Sequence, residues 1–213
     1  MAVGSNCRRG RPAGLWSLGL VEVILYPHPT LRRASRPIKR VDAEFRSMVA
    51  RMIDLMYESK GIGLAANQVD LPYRVFVMNP SGDPDDRAEE LVMINPVLKN
   101  PKGMSEAEEG CLSIPGVYAD VKRPERITIN AYDLSGNEIQ REVDGLFARI
   151  VQHETDHLDG QLFIDRLDPT ALANIREELE GMEVEFKNRR SDGLIPDDAT
   201  IVARLSQLEK LRT

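Results

Sequence analysis

Apolar side chains recur at three- and four-residue intervals through residues 42–59, where Phe45, Met48, Val49, Met52, Ile53 and Met56 share one face of a helix. Beyond it the period shortens. Runs rich in β-branched and aromatic residues at 73–78, 91–98, 117–122 and 126–132 predict strands, with turns at Asn79-Pro80-Ser81-Gly82 and Ser135-Gly136-Asn137. The acidic, proline-containing stretch 82–90 predicts an exposed loop. Helical spacing returns over Gly145–Leu158 and, after Pro169, over 170–189. After Gly193, Ile201, Val202, Leu205, Leu208 and Leu211 are spaced as one more amphipathic helix, free to pack on the domain, pair with another copy or fray. Strands gathered around helices predict an α+β fold of mostly antiparallel sheets with a central helix at Gly145–Leu158 and a C-terminal helix.

That central helix carries the densest chemistry. His153-Glu154-Thr155-Asp156-His157 sets two of the chain's three histidines one helical turn apart on the same face. Glu154 sits beside them, positioned to handle a proton on a metal-bound water. The plain alternative is a solvated helix face that happens to spell the pattern. A catalytic site also needs a third protein ligand, and the sequence offers three sources. The extended pattern H-E-x-x-H-x-x-G-x-x-H is matched through Gly160, but its final slot holds Phe163, which cannot bind a metal. Glu177, Glu178 and Glu180 lie downstream, in a stretch that reads more simply as an exposed helix face. Cys111 is the third, bracketed by Gly110, Pro115 and Gly116; a lone cysteine is ordinarily a small buried hydrophobe, and this setting is what raises it above that.

One further segment, Gly61-Ile62-Gly63-Leu64-Ala65-Ala66-Asn67-Gln68-Val69, is weak alone, since two glycines can mark any tight turn into a helix. It is not a phosphate loop, because no Lys-Ser or Lys-Thr follows. Taken in order, Gly61–Gln68, Glu109–Ser113 and Gln152–His157 resemble the G-x-G-L-A-A-x-Q, E-G-C-L-S and Q-H-E-x-D-H segments of the peptide deformylases. The resemblance covers about residues 21–170, including Tyr26–Arg32 and Leu162–Leu167.

The resemblance implies an enzyme that hydrolyses the formyl group from the N-terminal formyl-methionine of new bacterial polypeptides. It implies one divalent metal on Cys111, His153 and His157, with Fe(II) the family's habit and zinc, nickel or cobalt able to substitute. It also implies Glu154 as proton carrier, and the Gln68 side-chain amide and Leu112 backbone N–H as oxyanion donors. Substrate would bind as an added strand against Ile62, Gly63 and Gly110, its methionine in a slot formed by Ile62, Leu146 and Ile150, rimmed by Arg149. Ordinary core packing is an equal reading for Ile62, Leu146 and Ile150. Two positions depart from the family pattern: Asn67 stands where Pro or Thr is common, and Asp70 where glycine is usual. His28, in a proline-flanked turn, is no ligand candidate.

Composition bounds the rest. With 213 residues, 42% of them hydrophobic, the chain can bury one domain's core. The net charge of −6 is uneven: residues 1–40 hold eight Arg or Lys against one acid, +7, leaving −13 for the remainder. The expected organisation is a flexible basic extension over 1–20, a catalytic domain over 21–189 and a tail over 190–213. The extension lacks a convincing signal or transit peptide, no stretch reaches membrane-spanning length, and a bacterial cytoplasmic enzyme is expected, with neither DNA nor membrane as partner. Nothing suggests secretion, so Cys7 and Cys111 are not expected to pair. Family resemblance adds the ribosome as a partner for the helix at 170–189. Two rival readings are an endopeptidase that uses a downstream glutamate, and a ribosome-associated module without activity.

Overall fold

The computed structural model describes residues 22–213, so the basic extension expected at 1–20 lies outside the described residues. Five strands form the main sheet in the order β1-β2-β3-β6-β7: β1 Gly63–Ala65, β2 Val75–Met78, β3 Leu91–Lys102, β6 Arg126–Tyr132 and β7 Glu138–Asp144. Between β3 and β6 the chain makes a separate hairpin of β4 Ser105–Cys111 and β5 Ile114–Arg123. Every pairing of named strands is antiparallel. The helices are α1 Ala43–Glu58, α2 Gly145–Leu158, α3 Pro169–Asn174, α4 Arg176–Ser191 and α5 Asp198–Arg212. The fold is therefore α+β, with a central helix and helices at the C-terminal end.

Local sequence explains the element ends. The Asp42 side chain caps α1 by accepting from Phe45 N–H, and Asp168 caps α3, whose first residue is Pro169. Gly145, at φ 56°, lets the chain turn directly from β7 into α2. Strand β2 is buried on both faces, and its alternation divides the core. Val75 and Val77 join α1, Leu64 and Tyr73 on one side; Phe76 and Met78 join α2, Met93 and Ile129 on the other. Helix α2 thus packs against the sheet, while a third cluster of Leu31, Ile114, Val121, Phe163 and Leu179 supports the β4–β5 hairpin.

Strands β1, β4 and β7, for which no strand run was expected, and one helix differ from the sequence expectation. The helix expected over 170–189 is interrupted at Ile175, which leaves helical geometry (φ −107°, ψ 9°) and buries its side chain among the hairpin residues. The segment after Gly61 forms the short strand β1 and then a 3₁₀ turn at Ala66–Val69. Helix α5 folds back on the body of the protein, with Ile201, Leu205 and Leu208 buried and Leu208 entering the α1 cluster.

Candidate active site

Helix α2 presents Leu146, Ile150, His153 and Glu154 to one cavity of about 640 Å³, and the spacing of four, three and one residues keeps them on a single face. Opposite stands the β4–β5 hairpin. A register shift between Gly110 and Cys111 turns Cys111 at the end of β4, where only Leu112 and Ser113 separate it from Ile114, its pairing partner in β5. The thiol is thereby aimed at α2: Cys111 Sγ lies 3.2 Å from His157 Nε2, and the ligand atoms of Cys111, His153 and His157 all fall within 4.8 Å of one another. The downstream carboxylates do not take part. Glu177, Glu178 and Glu180 are exposed on α4 and join no such cluster among the described residues. Phe163, in the slot where a third histidine would stand, is buried and stacks on His153 with the ring planes 20° apart.

Glu109 fixes the first histidine. Its carboxylate accepts from Arg123 Nε at 2.6 Å and Nη2 at 2.8 Å and from Arg149 Nη1 at 2.6 Å, and it faces His153 Nδ1 at 3.0 Å. Burial disfavours charge on Glu109, but Arg123 and His153 outweigh it and hold the carboxyl well below the ordinary carboxylate range. An ionised carboxylate can only accept, so Nδ1 of His153 carries a proton and Nε2 is left for the thiol side. Arg123 also reaches Asp156 at 2.7 Å, and Asp156 pairs with Arg166, so charges from β4, β5, α2 and the following turn form one buried network.

Burial alone would lower the pKa of His153, but it is outweighed. The Cys111 sulfur and Glu109 carboxylate raise its pKa to about 10. His157, by contrast, is pushed well below its usual value by burial and by the neighbouring positive groups, so it stays neutral. Sulfur, imidazole and carboxylate groups crowd together there, a place that suits a divalent cation. One sulfur and two imidazole nitrogens, with one histidine carboxylate-held and an open cavity alongside, fit a metal with a fourth position free.

Glu154 is buried, its Oε2 without a hydrogen-bond partner among the described residues, and burial pushes its pKa up to about 7. Gly63 passes so close that a Cβ there would meet the Glu154 carboxyl carbon at 2.9 Å. Gln68 is held by its own oxygen, which accepts from Ala65 N–H at 2.8 Å, leaving Nε2 near Ser113 Oγ (3.3 Å) and Cys111 Sγ (3.5 Å). Ile62, Gly63, Gly110 and Leu112 complete the cavity wall; Ile62 and Leu146 are exposed while Ile150 is buried. Arg149 lines the cavity too, but its guanidinium is spent on Glu109 and on the Ser105 and Val121 carbonyls.

Sequence reasoning missed Glu109, Arg123 and Asp156 as a unit, although two of them stand inside quoted motifs. An acid directly before Gly110-Cys111, with an acid between the two histidines, was the available signal. Asp70 has a local reason for its departure from glycine. It adopts φ 62° at the end of the 3₁₀ turn, and its carboxylate accepts from Thr30 Oγ1 at 2.6 Å and pairs with Arg204 of α5. Asn67 donates to the His157 carbonyl, tying that turn to the end of α2. His28 Nδ1 accepts from Thr30 N–H at 3.3 Å, a capping role.

An HExxH helix facing a cysteine and a buried glutamate, open to one cleft, belongs to the metal-dependent hydrolases. Comparison narrows the class. The polypeptide deformylase family model matches residues 20–172. A peptide deformylase of Rhodopirellula baltica is 48% identical over 193 residues, covering 91% of this chain and 96% of its own. The crystal structure of a plant peptide deformylase superposes with a TM-score of 0.78 at 40% identity, over 84% of this chain and 95% of that one. A peptide deformylase of Plasmodium falciparum gives 0.76 at 36% identity, over 78% and 98%. The chain belongs to the polypeptide deformylase family.

Proposed function

We infer that this protein hydrolyses the formyl group from the N-terminal formyl-methionine of newly made polypeptides and releases formate. The observation that carries the reading is the convergence of Cys111, His153 and His157, with donor atoms within 4.8 Å of one another, on a cleft that also holds Glu154 and Gln68.

Cys111 Sγ and the two imidazoles would hold a divalent ion, which when bound would supply Lewis acidity and ease the ionisation of a water near neutral pH. Fe(II) is the proposed native ion, with Zn, Ni or Co as substitutes, since a thiolate and two imidazoles suit all four. Glu154 takes the proton from the attacking water and delivers it to the departing amine; a carboxyl raised by burial suits both halves of that transfer. Gln68 Nε2–H and the Leu112 backbone N–H donate to the formyl oxygen as it gains charge. Gly63 and Gly110 leave room for the substrate backbone to lie as an added strand, and Ile62, Leu146 and Ile150 take the methionine side chain.

The proposed catalytic unit is residues 21–189. A cytoplasmic setting is proposed, and among the described residues no helix is long and apolar enough to cross a membrane. The ribosome is the proposed macromolecular partner, through the basic end of α4 at Lys187, Arg189 and Arg190.

The test is formate release from formyl-Met-Ala-Ser by protein purified without oxygen and loaded with Fe(II). Metal-dependent formate that disappears in Glu154→Ala supports the reading; folded, metal-loaded protein that releases none overturns it. The endopeptidase reading predicts instead that Cys111→Ser retains the metal.

A further inference from the structure

A second cavity, of about 580 Å³, adjoins the catalytic cleft: Val23 and Pro115 wall both. Its other walls lie largely beyond the family-matched residues 20–172. Helix α4 contributes Glu178, Met182, Glu185, Phe186 and Arg189, and the link into α5 contributes Leu194 and Ile195. The lining is largely apolar, and two of its leucines remain open to solvent, Leu25 at 36% and Leu194 at 67%. Apolar surface gathered in a groove gains free energy when something covers it. The rim has a sign. Among the charged residues that line it, Glu22, Glu178 and Glu185 outnumber Arg189, and Asp70 in the same wall is paired with Arg204.

We propose that this groove receives the part of the polypeptide substrate that follows the residues held in the catalytic cleft, and that it favours apolar and basic side chains there. The proposal rests on the deformylase reading. A formylated polypeptide reaches the reacting centre by its first residue, so everything downstream must leave the cleft. A chain leaving past Val23 and Pro115 passes from one cavity straight into the next. The apolar lining then takes side chains of that segment, and the acidic rim attracts lysine or arginine while repelling acids. The groove needs no motion to form and touches none of the groups that handle the formyl carbon.

The test compares formyl-Met-Ala-Ser with two octapeptides that extend it by Lys-Leu-Lys-Leu-Lys or by Glu-Leu-Glu-Leu-Glu, on the full-length, Fe(II)-loaded protein. The expected result is a KM about tenfold lower for the basic octapeptide, the return on covering one leucine-sized side chain, with no gain for the acidic one. Leu194→Asp and Glu185→Lys, both at exposed positions, should erase that gain and leave the tripeptide constants unchanged. Equal KM for tripeptide and basic octapeptide, or a gain that survives both substitutions, overturns the proposal. So does a dimer in sedimentation that Leu194→Asp dissociates, since a second copy would then occupy the groove. Absence of formate even from the tripeptide strikes the deformylase reading itself, which separates the two failures.

Discussion

Glu109→Gln isolates what the buried ion network does for the metal ligands. The residue is 6% exposed, and its carboxylate receives three guanidinium hydrogen bonds of 2.6–2.8 Å besides facing His153 at 3.0 Å. Glutamine keeps the shape but removes the charge, and it turns one acceptor oxygen into a donor aimed at groups that also donate. Removing one partner of a buried pair costs about 3–5 kcal/mol. Asp156 still pairs with Arg123, so the low end, about 3 kcal/mol, is expected, or roughly 6–12 °C in Tm for a chain of this size. With His153 no longer oriented, metal affinity should fall about 10–100-fold. A competition titration with zinc and a chelator, beside thermal melts read by circular dichroism, measures both. The sign with pH is fixed as well. Glu109 is held below its ordinary value of 4.5, so its stabilisation is complete above that pH and is lost as pH falls beneath it. The variant should therefore lack part of the wild-type loss of Tm below pH 4.5. Arg149→Met is the control: it costs stability but leaves Glu109 on His153, so affinity should hold. Unchanged zinc affinity in Glu109→Gln, with a Tm within ~2 °C of wild type, would refute the orienting role.

Three other substitutions probe separate parts. Glu154→Gln should retain stoichiometric metal by elemental analysis while formate release falls at least ~10²-fold, because the proton carrier is gone and the ligands are not. Gly63→Ala should lower kcat with little change in Tm: the added Cβ meets the Glu154 carboxyl carbon at 2.9 Å, and steady-state kinetics with a melt would show whether that displacement matters. Leu208→Ala, in α5, should cost about 2–5 kcal/mol by denaturant unfolding and leave tripeptide kinetics intact, since its partners are in the α1 cluster rather than the cleft.

What the sequence disclosed depended on whether a local period carried the information. Helix α2 and strand β6 were legible to the residue, because motif, apolar spacing and flanking turns coincide there. Strands β4 and β7 were not. Ser-Glu-Ala-Glu-Glu-Gly-Cys and Glu-Ile-Gln-Arg-Glu-Val-Asp each bury only one residue, so pairing across the ladder rather than an apolar face makes them strands. The same division holds in the site. His153 and His157 declare themselves by spacing, whereas Cys111 meets His157 across 46 positions and Glu109 meets Arg123 through a hairpin whose first strand has no visible pattern.

Helix α5 shows where pattern reading stops in another way. Its apolar spacing was plain, but its target depended on polar groups scattered through the first third of the chain. Arg212, 3% exposed, donates to Tyr73 Oη at 3.1 Å, Asp42 at 3.1 Å and Glu44 at 2.8 Å, while Arg33 pairs with Glu209 and Tyr73 Oη–H donates to the Leu208 carbonyl at 2.9 Å. These bonds select one docking site from the many an amphipathic helix would accept, because a misplaced α5 would bury Arg212 without its carboxylates. The core to which Leu208 belongs also holds Leu64, next to Gly63 in β1, so the helix stabilises the strand that forms one wall of the cleft. The packed body therefore extends past the family-matched residues to α5, which reaches β1 only through the shared core and contributes no group to the cleft.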